Sequence, residues 1–507
     1  MTGISLIGQH NFLRQVTSDL SSQLQRAQGQ IASGKRAETH GELGLQSKVA
    51  QALRADVADA ESFIQTGEMT ATRMEVMQAS MTAVQEGLVG QRDQVNAAIY
   101  RNDVGLPFLQ PSAEGRLQDA VARLNTQVEG RYLFSGRTTD VRPVAEAQAI
   151  LDGSGAAMGL DQVMAERADA DLATDITAAG QITNPTADSV RLQDDNLVFG
   201  LSVAGARDSG GAMTATTTPA ATSPTGMPAG TQEQLDISLS AQPAAGDSVT
   251  VDVRLPDGSA IELTLTAGDT NTAVADPELG GGAQELSATF DRGVDAASAA
   301  TNLRQALSDA LAAIQDSAAF AGAAEAQGAN DFFRDGGPLI VDGAGTGLVA
   351  GTESEVVHWY RGDSDPDVDG AQRARIGEGQ VVDYGVRADQ AELRESVKSM
   401  AMLAARGVDG DVESYRAFAL RAGESAGATV DRVTEVQGRL GVKEQLVADT
   451  IERHEGAANL MSQRVAEIEE ADPYEVATRI QELRQQLEST YAITGRLQNL
   501  SLVNFMT

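Results

Sequence analysis

The two ends of this chain carry long, regularly spaced apolar stripes, and the middle does not. Steps of three and four residues place each stripe on one side of a helix. The N-terminal stripe comprises Leu13, Val16, Leu20, Leu24, Ala27 and Ile31, and the C-terminal stripe comprises Val476, Ile480, Leu483, Leu487, Thr490, Thr494 and Leu497. A single helix with such a stripe cannot bury it alone. We therefore expect the two ends to pair with each other, or with copies from other molecules, while the intervening chain loops out.

Negative charge is concentrated in the middle of the chain. The 507 residues include 38 Lys and Arg against 72 Asp and Glu, a net charge of −34. Residues 146–385 hold 10 basic and 37 acidic side chains, whereas residues 1–145 and 386–507 are nearly balanced. This charge offers no basic surface for nucleic acid and disfavours anionic membranes. Balanced ends can approach one another, so the pattern favours assembly through the ends.

The chain contains no cysteine, which excludes disulfides and thiolate metal sites. The absence of cysteine from so long a chain favours an exported protein. Residues 1–30 show no cleavable secretory signal, and no stretch approaches the roughly 20 apolar residues of a membrane span. We therefore expect export by a route that reads an uncleaved N-terminus, such as a type III apparatus.

Periodicity predicts a mainly α protein with long antiparallel terminal helices in a coiled-coil rod and an inserted β-rich outer domain. Helices are expected over 10–32, 46–101, 112–130 and 294–319, and from 389 to the C-terminus. The helix over 46–101 carries a predicted buried stripe of Val49, Leu53, Val57, Ile64, Met74, Met77, Met81, Val84, Leu88, Val95 and Ile99. Alternating apolar residues predict an antiparallel β unit over 233–266, with short strands at 339–341, 356–360 and 380–384. Residues 209–230 are typical of a linker. Asp472 and Pro473 are typical of a helix start and predict a joint between two helical segments.

These patterns divide the chain into five segments. We expect an N-terminal helix, a first set of rod helices, an insert with β structure and one helix, a second set of rod helices and a C-terminal helix. Their predicted bounds are 1–40, 41–145, 146–385, 386–471 and 472–507.

Several short motifs imitate chemical sites, and each has a simpler explanation. His454 and Glu455 begin like a zinc-protease helix, but Ala458 stands where the second His is required. We therefore assign His454 to a helix seam. Arg361-Gly362-Asp363 follows an apparent strand and is interpreted as a turn.

A calcium-loop-like start at residues 365–370 also lacks its partners. Arg373 and Ile376 occupy positions where such a loop needs a water-binding residue and a bidentate Glu. We interpret this run as a solvated acidic turn. The sequence therefore predicts no enzyme, no catalytic residues, no cofactor and no metal site.

Three segments carry a resemblance to known proteins. Gln30-Ile31-Ala32-Ser33-Gly34-Lys35-Arg36 resembles the end of the first helix in bacterial flagellin-like proteins. Residues 124–136, which end in Tyr132, Leu133, Phe134, Ser135 and Gly136, are similar to a hallmark of the hook-associated protein 3 family. The tail 500–506, which includes Phe505, is similar to that family's ending. The resemblance covers about 1–145 and 386–507, and residues 132–136 are its most specific part.

The resemblance implies a structural subunit of the extracellular bacterial flagellum at the hook–filament junction. It implies that the terminal helices form an inner tube, that the next helices surround it, and that the insert faces outward. The implied partners are the adjacent hook-associated protein, flagellin, further copies of the chain in a ring, an export chaperone and the type III export apparatus. The assembly seam would then comprise Leu13, Val16, Leu20, Leu24, Ile31, Val476, Ile480, Leu483, Leu487, Leu497 and Phe505.

Two alternatives to a junction subunit stay open at this point. One is a flagellin of the filament itself, which the C-terminal ending and residues 132–136 disfavour. The other is an adhesin or binding module displayed by the insert. Its few aromatic residues, among them Trp359 and Tyr360, disfavour sugar stacking.

Overall fold

A computed structural model describes residues 3–37, 39, 41–100, 105–177, 181–193, 198–219, 232–363, 372–408 and 411–503. It confirms the predicted fold class, because long terminal helices enclose a β-rich middle region in the sequence. The helices are α1 (Gly3–Ser33), α2 (Leu45–Tyr100), α3 (Leu109–Leu124), α4 (Ala147–Asp152), α5 (Leu160–Ala173), α6 (Ala296–Gln315), α7 (Ala318–Phe332), α8 (Ala391–Ala405), α9 (Val412–Glu469) and α10 (Pro473–Val503). A short 3-10 helix (Leu106–Phe108) precedes α3.

Within the described residues, the strands form five small sheets. They are β1 (Gln127–Val128), β2 (Arg131–Tyr132), β3 (Ile182–Thr183), β4 (Ser189–Gln193), β5 (Ser202–Asp208), β6 (Met213–Pro219), β7 (Gln232–Leu239), β8 (Ser248–Arg254), β9 (Ala260–Gly268), β10 (Gln284–Asp291), β11 (Leu339–Val341), β12 (Leu348–Ala350), β13 (Arg373–Gly377) and β14 (Gln380–Asp383). Two sheets have four strands, in the orders β10-β9-β8-β5 and β3-β4-β7-β6, and the other three are two-stranded.

The chain divides into two compact units, of which the first comprises Met1–Ala71, Ala374–Val382 and Glu444–Thr507. In this unit α1 pairs with α10, and the N-terminal part of α2 packs on the C-terminal part of α9. A Cβ atom on Gly67 would lie 2.7 Å from Ile451 Cγ1, so glycine permits the close approach of these two helices.

A hairpin formed by β13 and β14 also packs in the first unit. His454 Nε2 donates a hydrogen bond to the Ile376 carbonyl at 2.9 Å, and the His454 ring lies 5.3 Å from the Phe63 ring. The Arg375 guanidinium covers Phe63 from 5.6 Å. His454 therefore serves packing of the hairpin on the helix pair.

The second unit comprises Thr72–Arg373 and Asp383–Lys443. Here the predicted α2 stripe is confirmed, because its members are at most 1% exposed: Met74, Met77, Met81, Val84, Leu88 and Val95. Glycines again set the helix spacing, since a Cβ atom on Gly423 would lie 3.0 Å from Val95 Cγ1. In the first unit the same stripe is interrupted at Val49, which is 51% exposed, so the prediction of a buried position there is wrong.

Alternating burial in β7, β8 and β9 confirms the predicted strands of the insert. The inward residues Leu235, Val251 and Leu263 are at most 1% exposed and join one core with the inner face of α6. The prediction of a single antiparallel unit is wrong, because β7 lies in a different sheet from β8 and β9, and β10 runs parallel to β9. The connection over 269–283 is long enough for the crossover that parallel pairing requires.

The α6 region contains two helices where one was expected over 294–319. α6 begins at a capping box formed by Asp295 and Ser298 and ends at Gln315. Ser317 then caps α7 by accepting a hydrogen bond from the Phe320 amide at 3.2 Å. α7 is rich in alanine and glycine and is buried on nearly all sides, so it lacks the periodic stripe that would reveal it.

Two further expectations differ from the structure. β6 occupies the first part of the predicted linker, where threonines pair with β7, and residues 220–231 lie outside the described residues. The predicted strand over 356–360 is replaced by isolated bridges of Val356 to Met158 and of Tyr360 to Val144. A single bridge at each end satisfies too few backbone groups to form a strand.

A buried charge network joins α5, α7 and the loop before β5. The Arg167 guanidinium contacts Asp171 at 2.8 Å and Asp331 at 2.9 Å, and lies 4.8 Å from the Phe199 ring. The Gly200 amide donates to Asp171 at 2.9 Å. Burial raises the pKa of Asp331 to about 6, and Arg167 offsets only part of that effect.

We expect Asp331 to oppose the usual acid destabilisation. Its folded pKa of about 6 exceeds its ordinary value of 3.8, so the folded protein binds this proton more tightly. The stabilisation that comes from this proton is fully present below pH 3.8 and is lost as the pH rises through about 6. Between pH 4 and 7, the free energy of unfolding of the wild type should fall by about 2 to 3 kcal/mol relative to Asp331→Asn, measured by urea titration.

The exposed Asp309→Asn variant is the matched control, since its carboxyl lies on the outer side of α6. It should keep the pH dependence of the wild type. If the unfolding free energies of the wild type and of Asp331→Asn change in parallel with pH, burial does not raise the pKa of the Asp331 carboxyl.

Candidate assembly site

The terminal helices α1 and α10 pack against each other along an apolar seam in the first unit. Its centre is a core of Ala27, Val476 and Leu483, which are 3%, 7% and 5% exposed. Leu20, Leu24, Ala471 and Ile480 are half-buried around this core. Farther along, Leu13 and Thr17 line a cavity of about 260 Å³ together with Tyr491 and Thr494. The pairing of early α1 residues with late α10 residues makes the two helices antiparallel.

Five of the eleven predicted seam residues lie in this core or pack against it: Leu20, Leu24, Val476, Ile480 and Leu483. Leu487 is 8% exposed, whereas Leu13 and Val16 are half-buried. Ile31 is 46% exposed and does not join the core. The side chain of Leu497 and all of Phe505 lie outside the described residues.

At one end of the α1–α10 pair, residues 34–36 and 469–471 are joined by backbone hydrogen bonds. The Arg36 amide donates to the Glu469 carbonyl at 2.7 Å, and the Ala471 amide donates to the Gly34 carbonyl at 2.9 Å. Gly34 has a φ of +69°, which allows the sharp turn after α1. The next helix begins with Asp472, whose carboxylate accepts from the Tyr474 amide at 2.8 Å, as the sequence predicts.

Large apolar side chains also remain uncovered on α1 and α10. Phe12, Tyr491 and Ile493 are 65%, 58% and 50% exposed. They lie on the same two helices as the seam but contribute nothing to its core. Such residues on paired helices are available for contact with another molecule.

Residues 132–136 form a second site, which we call the clasp, together with Asp363, Gln372 and Ala388. Leu133, Phe134 and Ser135 are fully buried. The β1–β2 hairpin leads into them through Glu129 and Gly130, whose φ values of +53° and +75° suit a tight two-residue turn.

The clasp joins the two ends of the insert through backbone hydrogen bonds. The Asp363 amide donates to the Ser135 carbonyl, and the Ala388 amide donates to the Phe134 carbonyl, both at 3.0 Å. Gln372 Nε2 is within hydrogen-bond distance of the carbonyls of Tyr132, Leu133 and Gly136, at 3.1, 3.3 and 3.3 Å. One buried amide therefore satisfies several acceptors of the motif.

Sequence reasoning missed Gln372, because a single glutamine between two arginine-containing stretches gives no pattern signal. It also treated Asp363 as part of a turn. The Asp363 carboxylate forms an ion pair with Arg137 at 2.5 Å, and its amide belongs to the clasp. Asp363 of the Arg361-Gly362-Asp363 run thus takes part in contacts within the chain. The calcium-like run 365–370 lies outside the described residues.

The parts of the chain that the structure describes contain no cluster of three or more His, Asp or Glu side chains able to hold a metal. Among the helices in those same ranges, none combines the length and apolar character that crossing a bilayer requires. The features with the clearest geometry are therefore the two packing sites.

Gly136→Ala and Gly130→Ala form a matched pair that tests the clasp. Both glycines have positive φ, +70° and +75°, but only at Gly136 would a Cβ atom meet neighbours, at 2.9 Å from Asp363 Cβ. We expect Gly130→Ala to cost about 1 kcal/mol of unfolding free energy from backbone strain alone. Gly136→Ala should cost about 1 to 3 kcal/mol more, because the Asp363 segment must move.

The two losses are measured by urea unfolding, and exchange of the Asp363 and Ala388 amides, which donate to the clasp carbonyls, localises them. Faster exchange at Asp363 in Gly136→Ala alone is the expected result. Equal losses in the two variants would mean that close packing against Asp363 does not stabilise the clasp.

Comparison with known proteins bears on the C-terminal part of the seam. A family model described as the bacterial flagellin C-terminal helical region matches residues 424–506, which include most of α9 and all of α10. A sequence search of curated proteins finds no match. The matched region supplies Val476, Ile480, Leu483 and Leu487, the α10 side of the seam. This chain is flagellin-like in its C-terminal helical region, which supports a structural flagellar subunit.

Proposed function

We propose that the protein is a hook-associated subunit that joins the flagellar hook to the filament. The observation that carries its assembly role is the antiparallel α1–α10 seam, whose C-terminal half lies within the flagellin-like region. The seam brings the two ends of a 507-residue chain together and leaves other apolar side chains of the same helices uncovered. Pairing of the ends within a subunit then prepares a surface for the next subunit.

Residues 124–136 favour a subunit of the hook–filament junction rather than a flagellin of the filament. Their similarity to the hook-associated protein 3 hallmark is the most specific resemblance in the chain. The fully buried Leu133, Phe134 and Ser135 have a physical task in this protein, because they fix the point where the insert leaves and rejoins the helices. In the proposed subunit, the five predicted segments serve as inner helices, rod helices and outward insert.

The partners in this proposal are the adjacent hook-associated protein, flagellin and further copies of the chain in a ring. An export chaperone and the type III apparatus would deliver it to the extracellular flagellum. A filament flagellin would use the same seam but would occupy the filament instead of the junction. The place where the protein assembles therefore distinguishes the two functions.

Loss of the uncovered apolar side chains should impair assembly without impairing folding. We expect the triple variant Phe12→Ser, Tyr491→Ser, Ile493→Ser to keep its unfolding free energy within about 0.5 kcal/mol, because these side chains are already half or more exposed. Its incorporation into flagella should fall strongly, since it lacks apolar contacts to neighbouring subunits. Complementation of a strain that lacks the protein, followed by quantification in purified flagella, measures this.

The control changes polar, exposed residues on the same helix, Glu482→Ser and Gln486→Ser. It should assemble as the wild type does. Unimpaired incorporation of the triple variant would rule out these apolar side chains as subunit contacts.

Immunogold labelling of isolated flagella distinguishes the junction from the filament. For a junction subunit, label should be confined to the hook–filament boundary, because only a short layer is built there. Label along the whole filament, or growth of the purified protein into long filaments, would establish flagellin instead. A surface tag at Val294, which is 86% exposed at the start of α6, gives a label far in sequence from both ends of the chain.

A further inference from the structure

A cavity of about 300 Å³ lies in the second unit, apart from the seam. Its walls come from the loop 334–338 after α7, from residues 358–360 and from the start of α8. The volume is at the low end of the range for small-molecule pockets, about 300 to 1,000 Å³. It therefore suits one small ring rather than an extended chain.

The first notable group in this cavity is Arg394. Its side chain is only 18% exposed, yet its one ionic contact within the described residues is Asp335 at a distance of 3.6 Å. The Asp335 side chain is 87% exposed, and so long a contact to a solvated carboxylate is weak. A guanidinium has five N–H donors, so most of the donor capacity of Arg394 is unused by the described chain.

Arg334 adds a second guanidinium to the same wall. It is exposed, and among the described residues no carboxylate lies within ion-pair distance of it. Asp389 also lines the cavity. Burial raises the pKa of its carboxyl, and the charges of Arg387, at 2.9 Å, and of Arg394 oppose that shift. The cavity thus holds two guanidiniums, Arg334 from the loop after α7 and Arg394 from α8, beside the carboxylates of Asp335 and Asp389.

Aromatic side chains also line the cavity. Tyr360 is half-buried and its hydroxyl donates to the Asp363 carbonyl at 3.3 Å, which fixes the ring. Trp359 also lines the cavity, with its ring centroid 5.8 Å from that of Tyr360, and the Phe333 ring lies 5.3 Å from the Trp359 ring. Aromatic rings beside a cation are suited to a six-membered ring that packs an apolar face on them and carries a negative charge.

We propose that this cavity binds a small six-membered ring bearing a carboxylate. The ligand carboxylate takes the place of Asp335 at Arg394, Arg334 adds a second contact at the rim, and the ring lies against Tyr360. Uronic acid sugars and aromatic acids share this chemistry. The binding site is independent of the proposed junction role, since it uses neither the seam residues nor the exposed apolar side chains.

The test is calorimetric titration of the full chain with galacturonate and with benzoate, each against its neutral counterpart, galactose and benzyl alcohol. We expect at least one carboxylate to bind with a dissociation constant in the millimolar range or tighter, and its neutral counterpart to bind at least about tenfold more weakly. Binding of galacturonate alone identifies a sugar acid, and binding of benzoate alone identifies an aromatic acid. Absence of binding by both, or equal binding of a neutral counterpart, overturns the proposal.

Variants assign the binding to this cavity. Arg394→Gln should weaken binding about tenfold or more, whereas Asp335→Asn should preserve or strengthen it, because the competing carboxylate is removed. The control Arg292→Gln removes a guanidinium that pairs with the exposed Asp269 outside the cavity, and it should bind as the wild type does.

Thermal unfolding of each variant verifies that it is folded. If Arg394→Gln fails to fold, the exposed Arg334→Gln carries the test, with weaker binding as its expected result. Unchanged affinity in the folded Arg394→Gln or, in that case, in Arg334→Gln overturns the proposal.

Discussion

Antiparallel packing between the two halves of the sequence is the constraint on which the structure depends. In the first unit α1 meets α10, and in both units residues of α2 pack on residues of α9. These partners are hundreds of residues apart in sequence, so the ends of the insert must come together wherever the helices pair. The clasp meets this requirement with buried backbone hydrogen bonds from Asp363 and Ala388 to residues 134–135.

The sequence was sufficient to predict the helices and their stripes, because burial on one side of a helix leaves a period of three to four residues. Met74, Met77 and Met81 illustrate this, as do Val476 and Leu483. It failed where burial is not one-sided. α7 is covered on nearly all sides and carries no stripe, and the division of β7 and β8 between two sheets depends on long-range pairing that alternation does not encode.

In the candidate sites, too, periodicity predicts some residues, and others depend on long-range contacts. The seam followed from periodicity, although Ile31 lies outside its core. For the clasp, resemblance located residues 132–136, but their contacts with Asp363 and Gln372 depend on the folded insert. Arg394 and Arg334 come from opposite ends of a stretch of about 60 residues and meet only through tertiary structure, so no local motif could indicate that cavity.

The backbone bonds between residues 34–36 and 469–471 have a mechanical consequence. They connect the turn after α1 to the turn before α10, so the two turns are held together by backbone hydrogen bonds. A change in the angle of α1 must then be accompanied by a matching change of α10, or the bonds break. Any change in the tilt of α1 relative to the end of α9 that keeps these bonds must therefore involve α10 as well.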